Sequence, residues 1–273
     1  MDKQEYINLA KNQLKGGAFK FAEGAINAFY ELSGKTLKND KYKVGDFVTL
    51  KKNTYMHGFG YKLEILDNIA QNGLISQDYE IASEPQKVTY AVSLWHIKRN
   101  IKLKDYIMNY SGMSVEYDND LIMVPYKQFD NFIEKVRKDG YWSLRAESSM
   151  ETRFMPSLAK DSNKLQLVLI LNGRDKECKQ LNYYNLLNEE VPLDIVLNFM
   201  KIKNPKFAEM FKKNRQNYED KRIAYLMFGL PVNTIEGVLV GRKYEKNKKI
   251  LNHIKQVLPN SYICNLDGKV IVE

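Results

Sequence analysis

One short stretch limits the fold of this chain more than any other, because it joins a strand pattern directly to a helix pattern. The run Thr54–Gly58 (TYMHG) is typical of a β-strand that ends at a histidine and a glycine. Apolar residues then recur at helical spacing over residues 63–72, and Gly73 stands where a helix ends in the left-handed conformation. The glycine beside His57 leaves bare backbone on which a planar ligand can lie. The stretch therefore predicts a strand–helix unit with a binding site at the strand end.

Length, charge and cysteine content define a broad class. The 273 residues suffice for one large domain, or for one domain with a helical appendage. The formal net charge of +9 permits attraction to nucleic acid, anionic membranes or acidic partners, and it also fits a feature of solubility alone. Cys178 and Cys264 are far apart and outside any Cys-x-x-Cys pair, so we expect neither a disulfide framework nor a structural zinc site. The three histidines, His57, His96 and His253, are not at metal-ligand spacing, so no metal site is predicted.

The apolar pattern predicts no signal sequence and no membrane segment. The first five residues are mostly charged or polar and lead into no long apolar run. The longest apolar run, Leu165–Leu171, is interrupted by Gln166 and has the length of a strand. We therefore expect a cytoplasmic protein, with export by a non-classical route left open.

A wide apolar stripe marks the N-terminal residues 3–33 as helical. The stripe predicts a helix buried on more than one side, and we favour core packing over a partner-binding or membrane-surface helix. Gly16 and Gly17 predict a break or bend, and Gly34 predicts the end. The domain interpretation is an N-terminal helical segment (1–35) followed by the main domain (36–273).

The rest of the chain mixes short strands with helices, which predicts an α+β fold. A strictly alternating strand is expected at 88–94, and a helical insert with a solvated face at about 177–218, interrupted at Pro192 and Pro205. The other expected strands are 47–50, 54–56, 121–124, 165–171, 223–228 and 235–240, with a closing hairpin of 261–264 and 269–272, and the other expected helices are 63–72, 103–110, 129–136 and 250–258.

Several of these features, in this order, resemble the ADP-ribosyltransferase superfamily of the His-Tyr-Glu type. They are the strand ending in His57-Gly58, the helix ending at Asn72-Gly73-Leu74-Ile75, and a following strand that bears Tyr90. The resemblance is best over residues 54–94. Residues 230–240 also resemble the late Pro-containing strand of DNA-modifying and related bacterial members. The resemblance implies an ADP-ribosyltransferase-like split β-sheet core with N-terminal helices and a helical insert, as in a bacterial or phage toxin or defence factor.

The resemblance also implies NAD as the substrate and assigns residues to it. His57 would hydrogen-bond the adenosine ribose, and the Gly58 backbone would bind the nicotinamide carboxamide. Tyr90 would stack on the nicotinamide ring. Ser93 and Tyr110 complete the implied NAD-binding set, with Tyr110 as the rival for the stacking position. An alternative for Tyr90 is a packing role in the core.

The implied reaction needs a carboxylate, and here the sequence departs from the family pattern. The bond between nicotinamide and ribose breaks through a cationic state that a carboxylate stabilises, and no metal is required. Relatives usually carry the glutamate on the strand before the proline, but residues 223–227 (IAYLM) contain no acid. The implied catalytic set is His57, Tyr90 and Glu236, with Glu151 as the alternative carboxylate. A solvated strand-end acid remains an equal interpretation of Glu236.

Three functions stay open. The first is transfer of ADP-ribose to a macromolecular acceptor, either nucleic acid or an anionic protein. The second is a catalytically inactive module that keeps the fold and binds a partner. The third keeps the fold but changes the reaction, to NAD hydrolysis or to RNA 2′-phosphate transfer. For the phosphate transfer, Arg145 and Arg153 are the candidate residues. The oligomeric state is not predicted.

Overall fold

The computed structural model describes residues 2–60, 63–75, 91–112, 166–186, 188–199, 223–242 and 244–273. In these ranges the fold is α+β, as predicted: seven strands form one mostly antiparallel sheet, and helices pack on it. The predicted strand 121–124, the predicted helix 129–136, Tyr90 and Glu151 lie outside the described residues.

The described helices and strands follow each other in a mixed order. The helices are α1 (Lys3–Gln13), α2 (Gly16–Ser33), α3 (Leu63–Asn72), α4 (Leu103–Gly112), α5 (Lys179–Tyr183), α6 (Leu193–Phe199) and α7 (Lys248–Val257). The strands are β1 (Thr49–Leu50), β2 (Thr54–Gly60), β3 (Leu74–Ile75), β4 (Ala91–His96), β5 (Ile101–Lys102), β6 (Gln166–Asn172), β7 (Ile223–Met227), β8 (Gly229–Leu230), β9 (Ile235–Val240), β10 (Tyr262–Cys264) and β11 (Val270–Val272).

The main sheet has the order β11-β10-β9-β6-β2-β4-β7. Neighbouring strands are antiparallel except β9 and β10, which are parallel. The pairs β1–β5 and β3–β8 form two small additional ribbons. The long apolar strand β6 lies in the middle and is fully buried from Leu167 to Leu171, because it has core on both faces.

The N-terminal helices belong to the core. Leu14 and Lys15 have extended backbone and Gly16 has φ +58°, which confirms the predicted break between α1 and α2. Gly34 caps α2, as predicted. Tyr6 of α1 and Phe29 of α2 each pack edge-on against Phe228, with ring centroids 4.9 Å apart. The wide stripe is buried on two sides, since α2 contributes to two hydrophobic clusters, and the prediction of core packing is confirmed.

Two predicted elements differ from the structure. β2 does not end at His57 but continues to Gly60, because β6 offers a partner to each of its seven residues. The stretch from 177 was predicted to be a solvated helix up to Pro192, but in its described part the first helix ends at Tyr183. It consists of a short 3-10 turn, α5 and α6, and between the helices Asn185 forms a bridge to Leu226 of β7. Buried apolar residues tie it to the core: Cys178, Leu181, Leu186, Val191 and Val196.

Glycines fix the path after α3. Gly73 ends that helix with φ +83°, as predicted, and leads into β3. β3 pairs with β8, where Gly229 has φ +138° and passes so close to the Leu74 carbonyl that a Cβ would overlap its oxygen. The closing hairpin of β10 and β11 is present, and its turn contains Gly268 at φ +73°.

Candidate functional site

β2 and β4 are neighbours in the main sheet but pair over only two residues, and we call the unpaired stretch between them beyond Met56 the split. β2 pairs with β6 over all seven of its residues. With β4 it pairs at Tyr55–His96 and at Met56–Trp95, whereas β4 pairs through its other edge with β7 from Ala91 to Trp95. Beyond Met56, the described strands therefore have no ladder between them, and the gap begins at His57.

Gly58 presents its peptide groups to this gap. The Thr54 carbonyl accepts a hydrogen bond from Ile97 N at 2.9 Å, so Thr54 directs its carbonyl toward the β4 side. Because peptide groups alternate along an antiparallel strand, Met56 and Gly58 direct theirs to the same side. Beyond Met56 the strand β4 no longer pairs there. Gly58 therefore offers one N–H and one C=O toward the split.

The His57 side chain lies on one face of the sheet at this point. It is half-buried, and by the alternation of strand residues it shares its face with Tyr55. The core on that face includes Leu66 and Ile69 of α3, the helix that follows β2. An imidazole in this position can donate or accept one hydrogen bond to a ligand in the gap, as a ribose hydroxyl requires.

The narrow end of the split is fixed by an aromatic pair. The rings of Tyr55 and His96 lie 4.7 Å apart, and Asn53 Oδ1 is 3.0 Å from His96 Nε2. The Tyr55 hydroxyl donates to Asn182 Oδ1 at 2.5 Å. Burial, and after it the charges of Lys98 and Lys52, lower the pKa of His96 to about 4, so this imidazole is neutral at physiological pH. His96 thus serves the structure.

The remaining residues of the implied NAD site are only partly brought together. Ser93 lies in β4 beside the split, where its backbone pairs with Tyr225 of β7. Tyr110 lies in α4, a helix whose Tyr106 and Ile107 belong to the cluster around Met56, on the sheet face opposite to His57. Tyr90 and Glu151 lie outside the described residues.

Glu236 occupies a bulge in β9. Ile170 of β6 pairs with Gly237, and Leu171 pairs with Ile235, so Glu236 is the extra residue between them. Bulges re-aim a side chain, and this one turns the carboxylate to a site where it is 3% exposed. Glu236 is thus not the solvated strand-end acid that was one interpretation of its sequence context.

A guanidinium neutralises this carboxylate. Arg174 Nη1 donates to Glu236 Oε1 at 2.8 Å, and Arg174 Nη2 donates to Glu236 Oε2 at 2.7 Å. This bidentate geometry is that of a strong ion pair. Arg174 Nη2 also lies 2.9 Å from Asp40 Oδ2, and Lys51 Nζ lies 2.7 Å from the other Asp40 oxygen. Burial alone would lower the pKa of Arg174, but the bonds and charges of Glu236 and Asp40 outweigh it and raise the pKa. Arg174 therefore stays charged at any physiological pH.

Hydrogen bonds from the backbone and from Asn172 hold this ion-pair cluster in place. The Asp40 N–H donates to Glu236 Oε2 at 3.1 Å. Asn172 is fully buried, its Oδ1 accepts from Arg174 N at 3.1 Å, and its Nδ2 donates to Asn39 Oδ1 at 2.8 Å. The cluster thereby joins the loop at 38–40 to the ends of β6 and β9.

The structure does not bring Glu236 and His57 together. In the sheet order, β6 and β2 lie between β9 and the split. Arg174 Nη1 also donates to Thr54 Oγ1 at 3.4 Å, and Thr54 shares its face of β2 with Met56, whereas His57 faces the other side. Asp40, Asn172 and Arg174 were not predicted as site residues, although the polar run Asn-Gly-Arg-Asp at the end of a buried strand is a local signal for them.

The described residues define an α+β protein with one mostly antiparallel seven-stranded sheet, in which β2 and β4 pair over two residues. Among them, no group of three or more His, Cys, Asp or Glu side chains is arranged to hold a metal ion. In the same ranges, none of the helices combines the length and apolar character needed to cross a bilayer. Comparisons with protein-family models, curated proteins and solved structures found no match. A narrower assignment therefore depends on the residues at the split.

Proposed function

We propose that the chain is an NAD-dependent ADP-ribosyltransferase whose NAD lies in the split between β2 and β4. The observation that carries this proposal is that the ladder between these strands stops at His57 and Gly58, the two residues that the family resemblance assigns to NAD. A carboxamide needs one hydrogen-bond donor and one acceptor, and Gly58 directs both of its peptide groups to the gap. Without a side chain, it lets the planar nicotinamide ring approach the backbone.

In this reaction the bond between nicotinamide nitrogen and ribose C1′ breaks, and its electron pair leaves with the neutral nicotinamide. A nucleophile of the acceptor forms the new bond to C1′ and gives up its proton. The acceptor is a macromolecule, either a nucleic acid or an anionic protein. His57 orients the adenosine half of NAD, and Gly58 holds the leaving group.

The carboxylate that stabilises the cationic transition state has to come from a residue other than an ion-paired one. Glu236 is held by Arg174 and is separated from the split by two strands. The proposal therefore takes Glu151 as the first candidate for the catalytic role.

A second candidate is a module that binds NAD without cleaving it. The observation in its favour is the strand β7, which pairs with β4 beside the split and carries no acid, with Tyr225 opposite Ser93. This module would have the same cleft and the same His57 and Gly58 contacts, but no group to stabilise the transition state.

The two candidates differ in nicotinamide release. With NAD labelled in the nicotinamide ring, the transferase should release label slowly in the absence of an acceptor and faster with a cell extract. His57→Ala and Glu151→Gln should each abolish release, whereas Glu236→Gln should retain it wherever the protein remains folded. His253→Ala is the matched control, because that ring pairs with Asp67 of α3 at 2.6 Å and has no role in the proposed NAD site.

The results of this release assay distinguish the transferase from the inactive module. Binding without release by the native chain would establish the inactive module. Loss of release in Glu236→Gln at a temperature where that variant is folded would return the catalytic role to Glu236. Nicotinamide release by the native chain that His57→Ala leaves unchanged would contradict both candidates.

A further inference from the structure

Three separate segments of the chain form one continuous surface at the end of β2 that lies away from the split. Thr49 of β1 pairs with Lys102 of β5, which joins residues 41–53 to residues 97–105. Val48 N donates to Gly268 O at 2.8 Å, and Phe47 forms a bridge with Lys269, which joins residues 41–53 to residues 265–270. We call these three segments together the basic surface.

The basic surface holds most of the excess positive charge of the chain. Its segments contain nine Lys or Arg residues against three Asp residues, while the whole chain has a net charge of +9. Lys51 is paired with Asp40. Seven other exposed cations make no ion pair with any described residue: Lys41, Lys43, Lys52, Arg99, Lys102, Lys104 and Lys269. Such a concentration of positive charge attracts polyanions.

An uncovered aromatic ring lies among these cations. Phe47 is 63% exposed, the highest value among the large apolar side chains of the described residues, and Val44 beside it is 58% exposed. Lys269 is its bridge partner on one side. On the other side the β1–β5 ribbon carries Lys102, and Lys104 follows it directly. Phe47 therefore has a lysine as its bridge partner, and the neighbouring ribbon carries two more.

We propose that the basic surface binds single-stranded nucleic acid, with Phe47 stacking on a base and Lys102, Lys104 and Lys269 contacting phosphates. A single strand offers both complementary groups, phosphates for the lysines and the flat face of a base for the ring. A duplex keeps its bases stacked and out of reach of Phe47, and an acidic peptide offers charge without planar rings. From Thr54 to Gly60, β2 extends for about 20 Å, so this surface is separate from the open end of the split. The proposal does not depend on NAD chemistry.

Fluorescence anisotropy of the full chain with a labelled oligonucleotide of about 16 nucleotides tests the proposal. The native chain should bind the single strand more tightly than the duplex of the same sequence. Phe47→Ala should weaken binding by about tenfold, the effect of one lost base stack. Lys102→Gln/Lys104→Gln should weaken binding and lower the slope of log K against log salt by about 1.4, which is the share of two phosphate contacts.

Matched controls come from exposed residues elsewhere. Tyr183→Ala removes another exposed aromatic ring, on α5, and Lys3→Gln/Lys11→Gln removes two exposed charges from α1. Both should leave affinity and salt slope unchanged. Because all the substituted lysines and Phe47 are exposed, the variants should melt at the native temperature in circular dichroism.

Three results would overturn the proposal. One is no binding of the oligonucleotide at low salt. Another is equal weakening by the basic-surface variants and by their controls, which would reveal a non-specific charge effect. The last is binding to vesicles of anionic lipid that depends on Phe47 while the oligonucleotide does not bind, which would make the surface a membrane contact.

Discussion

The substitution Glu236→Gln tests whether this carboxylate serves the structure or the chemistry. It removes one member of a buried ion pair while it keeps the volume of the side chain. Glutamine retains one acceptor oxygen, but it turns an NH₂ group toward a guanidinium that can only donate. Arg174 then keeps a single charged partner, Asp40 Oδ2 at 2.9 Å.

The expected loss in the free energy of unfolding follows from the burial of the ion pair. The side chains of Glu236 and Arg174 are 3% and 14% exposed, so water replaces little of the lost interaction. Removing one partner of a buried pair costs about 3–5 kcal/mol, and since Asp40 remains we expect the lower end, about 3 kcal/mol. Arg174→Met should cost at least as much, because it leaves Glu236 buried without a cation.

Urea unfolding followed by circular dichroism measures these free energies. The double variant Arg174→Met/Glu236→Gln removes both charges, and it should be less destabilised than the sum of the two single variants by about 2 kcal/mol. Glu177→Gln is the control, since its ion pairs with Lys35 at 4.0 Å and with Lys176 at 3.6 Å are partly exposed to water, and it should cost less than about 0.5 kcal/mol. If Glu236→Gln is as mild as this control and the two substitutions are additive, the structural role of the cluster is refuted.

Three further predictions concern other parts of the fold. Because the pKa of His96 is about 4 in the folded chain and near 6.5 in the unfolded chain, acid favours unfolding: stability should fall by about 3 kcal/mol between pH 6.5 and 4, and His96→Phe should remove that slope in urea titrations at several pH values. Gly229→Ala should cost more than about 2 kcal/mol in the same titration, because its φ is +138° and a Cβ would overlap the Leu74 carbonyl oxygen, whereas Gly34→Ala, with φ −85°, should be almost neutral. Burial raises the pKa of the Cys178 thiol to about 12, so a thiol reagent should label it only at the rate of unfolding, and rapid labelling of the native chain would contradict its burial.

Local patterns in the sequence predicted much of the fold. The break at Gly16, the end of α3 at Gly73 and the closing hairpin were predicted correctly, because each depends on a glycine in a conformation that other residues avoid. The wide stripe of α2 predicted its burial on two sides, since periodicity reports how much of a helix meets the core.

Features that depend on contacts between distant segments were not predicted. β2 continues past His57 because β6, more than a hundred residues later, supplies a partner for its last residues. The ion pair of Glu236 and Arg174 joins residues 62 positions apart, and no local pattern marks either as a partner of the other. The bulge that turns Glu236 inward is likewise visible only once β6 and β9 are in register.

Calorimetric titration of the full chain with NAD tests the central claim most directly. If the split at His57 and Gly58 is the binding site, NAD should bind with one site per chain. Binding should weaken by tenfold or more in His57→Ala, about the effect of one lost hydrogen bond to a ligand. It should also be lost in Gly58→Val, which fills the backbone surface facing the gap. Heat of binding that is absent in the native chain, or unchanged in both variants, would contradict the account.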